Sequence, residues 1–531
     1  MRRTGRGERN HSALGYPMNR KISSLFVVLA LALALNSCSG IKGQVCTVNC
    51  GTGTGSVSFT MAADTLPTNP NILSFTVSIS SIVLNPTSGT AQTITLNPAR
   101  VVDLVRLETD TAFLGTFANI TSGTYSTATV VMGLPAQITF LNDTGATISA
   151  LNGAPLSPTC PNNTICEVTL NLTGSPFVTL SFTVPASGTL GLGFNVDLKN
   201  IVSVVAGSLD VNFTSATLLS AFTLPRAGSN LATGQLDLIE DFTGVVTIAA
   251  SGVTITPATV TGRGPITAST NATMIMDKDP SGALCSNPTA GNIGTCLSNN
   301  QAASMDAILK SDGTLTIREI EPLLGTLQDT VEGIVFAIPT STQFKIVVTD
   351  LLPAATNSKI GTLHIGDALT VNLPVNPNPF LVDTKGLPVE SVAPGTLANF
   401  QGASNTTPMR PGQAVAVHVT TFTAGTAGTP PSSSADTVTL RWSRFTATPA
   451  TPFTQSTFNL TAFPSIFQAS GSALAQDFPG TATTQNVTNF DGIVDASGLN
   501  NAKPVAVRAL FIENSTNTAS PAFVAGKVRQ H

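Results

Sequence analysis

Charge is scarce in this chain. Lys, Arg, Asp and Glu make up only 10% of its 531 residues, against about 25% in typical soluble proteins. With 25 Lys+Arg against 29 Asp+Glu, there is no basic excess to hold a phosphate backbone, and no nucleic-acid partner is expected. Histidine, the commonest general base and a frequent metal ligand, occurs four times, and beyond residue 37 only as His364, His418 and His531. These scattered positions support no Ser-His-Asp order, and no Gly-x-Ser-x-Gly elbow is present. Cys-x-x-Cys and phosphate-cradling glycine loops are missing too, so neither a metal nor a cofactor is expected. Aromatics are 5%, with one Trp and two Tyr. That leaves Trp442, Tyr125 and surface Phe as the rings from which a sugar-binding platform could be built.

The first positive signal lies near the start. From Met18, a basic stretch (Arg20, Lys21) precedes an apolar run from Leu25 to Leu35, the pattern of a secretory signal. The run is short of the roughly 20 residues a membrane span needs. Leu35-Asn36-Ser37-Cys38 resembles the lipobox of bacterial lipoproteins. The resemblance implies cleavage before Cys38 and acylation of its sulfur and freed amine; several acyl chains hold a protein on a membrane where one does not. Asn36 departs from the usual small or aliphatic residue at its place. Ser39, in place of Asp, implies an outer-membrane or cell-surface route. Residues 1–37 are thus expected to be a signal peptide, with Met18 as the alternative true start, and 38–54 a lipid-anchored, small-residue tether. The chain is expected to be exported and to meet the membrane through its lipid.

Removing 1–37 takes away six basic residues and one acidic, leaving 494 residues with 19 basic and 28 acidic side chains. Seven cysteines less Cys38 leave three local pairs. In an exported chain these read as disulfides Cys46–Cys50, Cys160–Cys166 and Cys285–Cys296.

Thr, Ser, Ala, Val, Gly, Pro and Asn dominate the rest, a mixture of pleat-filling and turn-forming residues. Short alternating runs follow one another, among them Val57 to Met61, Phe75 to Ile79, Thr93 to Leu96, Tyr125 to Met132, Ile138 to Leu141 and Val178 to Val184. Period two with turns between, and no amphipathic helix, predicts a β-sandwich over 55–225. Phe75 to Ile82, Val102-Asp103-Leu104-Val105-Arg106-Leu107, Leu114-Gly115, Gly123-Thr124-Tyr125 and Gly193-Phe194-Asn195-Val196-Asp197-Leu198 resemble the bacterial lipoprotein domain-of-unknown-function family four-three-eight-two. The resemblance implies a sandwich and an envelope location, and no activity.

The second half repeats. Gln301 to Ile308 with Thr314 to Ile320, Gln413 to Val419 with Thr437 to Trp442, and Lys503 to Ala509 with Ala522 to Val528 are each a strand, a polar turn and a strand. Gly244 to Ile248 and Gly333 to Ala337 open the first two units, and the third has no clear start. Three small barrels are expected, over 233–325, 326–446 and 447–531. They resemble a second exported family of unknown function, numbered five-six-six-six, with OB-like barrels. The fold expected overall is all-β, an N-terminal β-sandwich followed by tandem small OB-like β-barrel units.

Carboxylate chemistry needs no histidine. Asp237, Glu240 and Asp241 form the densest acidic stretch and read as solvation of a linker. Glu319 and Glu321 read as an exposed edge that discourages aggregation. His418 and His364 read as strand residues, His418 facing solvent. Asp277-Lys278-Asp279 opens like a calcium loop but has Pro288 where a bidentate acid belongs, so it reads as a turn. The leading expectation is a non-enzymatic envelope lipoprotein, presenting its domains as a binding or structural module for an envelope protein or glycan. The rivals are an envelope hydrolase working through carboxylates such as Asp103 or Asp197, whose structural reading is a strand-end role, and a carbohydrate-binding module. A pocket where two or more carboxylates converge would favour the enzyme.

Overall fold

The computed structural model describes residues 53–64, 71–170, 177–213, 218–226, 231, 234–249, 252–270, 275–276, 297–323, 328–354, 356–384, 400–426, 428–468, 480–512 and 522–530. Cys38, Cys46, Cys50, Cys285, Cys296, the Asp277 turn and His531 lie outside them. The protein is all-β: the described residues form strands joined by turns and a few short 3-10 segments. No helix among them is long and apolar enough to cross a membrane.

The alternating runs near the start fuse into long strands. Those around Phe75 and Ile82 become Asn71–Pro86, and those around Tyr125 and Ile138 become Gly123–Leu141. Strict alternation would put Ile79 and Ile82 on opposite faces. A register shift between Ile79 and Ser81 returns both to the interior, where each is fully buried. Asn71–Pro86 lies between Gln92–Asp103 and Gly123–Leu141, and the latter carries Ile165–Leu170 and Phe177–Val184 along its other edge. A second sheet runs in the order Leu219–Phe222, Thr189–Val196, Thr54–Ala63, Ala112–Thr121. The two sheets share one core, with Phe59 stacked on Phe194 at 5.7 Å and Phe75, Tyr125 and Phe140 buried beside them. This is the expected sandwich. A third, smaller sheet ends in the edge strand Ala154–Cys160, tied by the Cys160–Cys166 disulfide to Ile165–Leu170.

Beyond it, one topology recurs three times. In the second barrel, Thr330–Thr340, Gln343–Leu352 and Ala368–Asn372 are antiparallel neighbours. The third meets the fifth, Ser432–Phe453, in parallel, and the fourth, Ala414–Thr423, closes the ring back onto the first. The first barrel repeats this order with Gln235–Ala249, Gly252–Thr256, Ile266–Ser269, Ala302–Lys310 and Leu315–Pro322. The last repeats it with Ser432–Phe453, Thr457–Thr461, Gly480–Asp491, Val505–Ile512 and Ala522–Arg529. Strand order 1-2-3-5-4-1 with only the 3–5 pair parallel is the OB arrangement. The hairpins that repeat in the sequence are strands four and five of each barrel.

The third unit lacks a start of its own because its first strand is the second unit's last. Within Ser432–Phe453, residues up to Arg441 pair with Ala414–Thr423, and Trp442 to Ala447 pair with Val505–Ile512. The expected boundary at 446/447 falls inside this continuous strand.

From Gly51 on the chain packs as one unit. Phe113 of the sandwich joins the first barrel's core with Leu236 and Phe242, and Leu73 and Leu141 join the third barrel's with Phe445 and Phe467. At Gly191 the backbones come so close that a Cβ would lie 2.4 Å from the Lys310 carbonyl oxygen, and the Gly191 N–H donates to Ser311 O at 3.0 Å.

Candidate functional site

The acidic stretch expected to solvate a linker is buried instead. Asp237, Glu240 and Asp241 are 6%, 8% and 7% exposed, within strand Gln235–Ala249. The register against Ala302–Lys310 shifts between Ile239 and Phe242, and Asp241 takes a positive φ of 55°. This bulge breaks the alternation that would have sent one of two adjacent acids to the barrel exterior. The Asp241 N–H donates to Asp306 Oδ1 at 2.8 Å.

Cations of the third barrel and of the shared strand meet Glu240 and Asp241, and the ion pairs extend from there into the sandwich and the second barrel. Arg508 reaches Glu240 at 2.9 Å and Asp241 at 3.1 Å, and Lys527 reaches Glu240 at 2.6 Å. Arg444, on the shared strand, bridges Asp241 at 3.1 Å and Asp110 at 2.8 Å. Asp110 also pairs with Arg106 at 2.9 Å, just beyond the sandwich motif that ends in Leu107. Arg106 then crosses to Asp350 of the second barrel at 2.6 Å, where Arg263 of the first arrives at 3.0 Å. Nearby, Arg441 pairs with Glu332 and Asp383. Arg529 pairs with Asp491 at 2.8 Å and donates to the carbonyls of Leu107 and Glu108, and Glu108 accepts from Thr446. The Asp237 carboxylate accepts from Thr60 and Thr111 of the sandwich.

The electrostatics follow from this pairing. Burial alone would raise Asp110, but Arg444, Arg508 and Arg106 outweigh it and hold its carboxyl below the ordinary range. Asp350 is likewise lowered, with burial opposed by Arg263 and Arg106. Burial would lower Arg508, yet Asp241, Glu240 and Asp110 carry it above the usual guanidinium value. A cavity of about 60 Å³ remains, lined by Asp103, Arg106, Asp110, Glu240, Asp241 and Arg263 among others. Carboxylates therefore do converge, as an enzyme would require. But the space fits about two waters, far below the 300 Å³ or more of a ligand site. Asp110, Glu240 and Asp241 each face a cation.

The other expected residues lie elsewhere. Asp103 is buried and accepts from Phe75 N, Val105 N and Ser74 Oγ. Burial is the chief influence on it and raises its pKa. Asp197 caps a 3-10 turn by accepting from Lys199 N. Both have strand-end roles. Glu321 is 4% exposed and Glu319 is half-buried, on an inner strand paired along both edges, so the exposed-edge reading of these two is corrected. His364 lies in a turn rather than a strand, 3.6 Å from Asp367. His418 is partly exposed on its strand and lies 2.6 Å from Asp436 Oδ1. Trp442 and Tyr125 are 3% and 2% exposed. Arg508 covers the Trp442 ring at 5.3 Å, so neither ring offers a face to a sugar.

Sequence reading missed Arg106, Asp110, Asp350, Arg444, Arg508 and Lys527. Their signal was present: in a chain so poor in charge, Arg508 interrupts the apolar run Val505-Ala506-Val507-Arg508-Ala509-Leu510. Compared with family models, with curated proteins and with solved structures, the chain finds no match.

Proposed function

We infer that the chain is an exported bacterial envelope lipoprotein, anchored through Cys38, that works as a non-enzymatic binding or structural module, with a sandwich of the family four-three-eight-two type. The observation that carries the non-enzymatic part is the central cluster. General acid–base work needs a carboxyl free to take and give a proton near neutral pH, and Asp110 and Asp350 are pinned in the ionised state by arginines. A cluster fed by the sandwich and all three barrels acts as a clamp that fixes the units to one another. The anchor is supported by the signal pattern and by the cysteine count, which becomes even once Cys38 is set aside.

Metabolic labelling with a palmitate analogue tests the anchor. The wild-type chain should take the label and Cys38→Ala should not; equal labelling would refute acylation at Cys38. The hydrolase reading draws on the carboxylates around the central cavity. Incubating the soluble chain from Ser39 with peptidoglycan and with chromogenic glycosides should give no turnover. Turnover abolished by Glu240→Gln would establish the enzyme instead. Pulldown from envelope extract and glycan-array binding then separate protein from carbohydrate partners.

A further inference from the structure

A cleft of about 730 Å³ opens between the sandwich and the second barrel, within the size range of ligand sites. One wall is formed by residues 165–168, which line it consecutively. Side chains of a strand alternate between faces, so consecutive lining residues mean that the strand presents its edge. The sheet order agrees: among the described residues, Ile165–Leu170 pairs only with Gly123–Leu141 and is an end strand. The opposing edge strand, Ala154–Cys160, contains Pro155 and Pro158, which lack donors and protect an edge from pairing. Ile165–Leu170 has no proline. The barrel side supplies Phe336, Ala337, Lys345 and residues 368–370.

We propose that this cleft binds an extended peptide segment of an envelope protein, which adds as a strand to the edge at 165–168 and sets a basic side chain against Glu167. Glu167 is exposed and uses Oε1 to accept from Ala368 N at 2.7 Å. The cleft walls strip part of the water from its carboxylate, and together with the like charge of Asp367 they raise its pKa, so a cation from a partner is favoured there. Lys345 has no carboxylate partner among the described residues and supplies the opposite charge on the facing wall. Main-chain pairing gives such a site its affinity, and the flanking side chains give it selectivity.

The proposal rests on reading the chain as a binding module but is independent of the anchor. Loss of Cys38 labelling would leave it standing, and its own failure would leave the lipoprotein reading intact. The test uses the chain from Ser39, which contains the whole unit from Gly51. A phage-displayed random dodecapeptide library is selected on it, and a synthetic peptide of the enriched consensus is titrated. The consensus should alternate apolar residues and carry Lys or Arg, and the peptide should slow hydrogen exchange of amides 165–168. Ala337→Trp, which fills the cleft, should abolish binding. Glu167→Gln should weaken it about tenfold, the scale of one charged contact. Both variants should keep the wild-type far-UV circular dichroism spectrum and thermal midpoint; if Ala337→Trp does not, Glu167→Gln decides alone. Failure to enrich, equal binding to both variants, or unchanged exchange at 165–168 overturns the proposal. So does an oligosaccharide that binds the wild type and is blocked by Ala337→Trp, which would give the cleft to a glycan.

Discussion

Arg508 shows what a single buried charge does here. Its side chain is 5% exposed, lies over Trp442 and holds Glu240 and Asp241. Replacing it with a methionine of similar length leaves two carboxylates buried with one fewer cation. Removing one partner of a buried pair costs about 3–5 kcal/mol. Arg508→Met should therefore lower urea stability by that order, whereas Arg508→Lys should lose less, keeping the charge without the fork. Equal stability of Arg508→Met and wild type would show that the network contributes nothing.

At the scale of an element, the strands do their work by departing from regularity. The bulge at Asp241 aims two acids inward. A second shift, between Arg508 and Ala509, sets Lys527 and Ala525 opposite neighbouring residues and leaves Gly526 unpaired between them. A Cβ there would sit 2.1 Å from the Trp442 ring, so the ring or the backbone must shift. Gly526→Ala should cost about 1–3 kcal/mol, the range for overpacking a core. Because Trp442 is the only tryptophan, its emission should shift in the native state, and an unchanged spectrum with full stability would contradict the packing described. The shared strand Ser432–Phe453 makes a related point. It joins two barrels through continuous backbone pairing, so neither can open its seam without disturbing the other.

Across the whole molecule, the ion pairs couple the units to pH. Asp110 and Asp350 have lower pKa values folded than unfolded. Their stabilisation is complete above the ordinary aspartate value near 3.9 and is lost as pH falls below it toward the folded-state values. Thermal midpoints should therefore be steady near neutrality and drop in that acid window. Asp110→Asn should start lower and fall less steeply, and parallel profiles would exclude Asp110 as a source of the slope. Since sandwich and barrels share these charges, far-UV circular dichroism and Trp442 emission should report one transition; two separated midpoints would show that the units unfold independently.

By itself the sequence determined what depends on neighbours along the chain. Period-two alternation identified most strands, because a pleat puts every second side chain on one face. The hairpin repeats located strands four and five of each barrel, and the spacing of Cys160 and Cys166 allowed their disulfide. Tertiary structure alone decided what depends on partners far away. Asp241 reads the same whether it faces water or Arg444, 203 residues distant. Its burial was fixed by a bulge and by cations on other units. The lost start of the third barrel has the same cause, since pairing, not local residue type, divides Ser432–Phe453 between two barrels. The cleft beside Glu167 exists because two edge strands and a barrel wall meet, and no short stretch of sequence records that meeting.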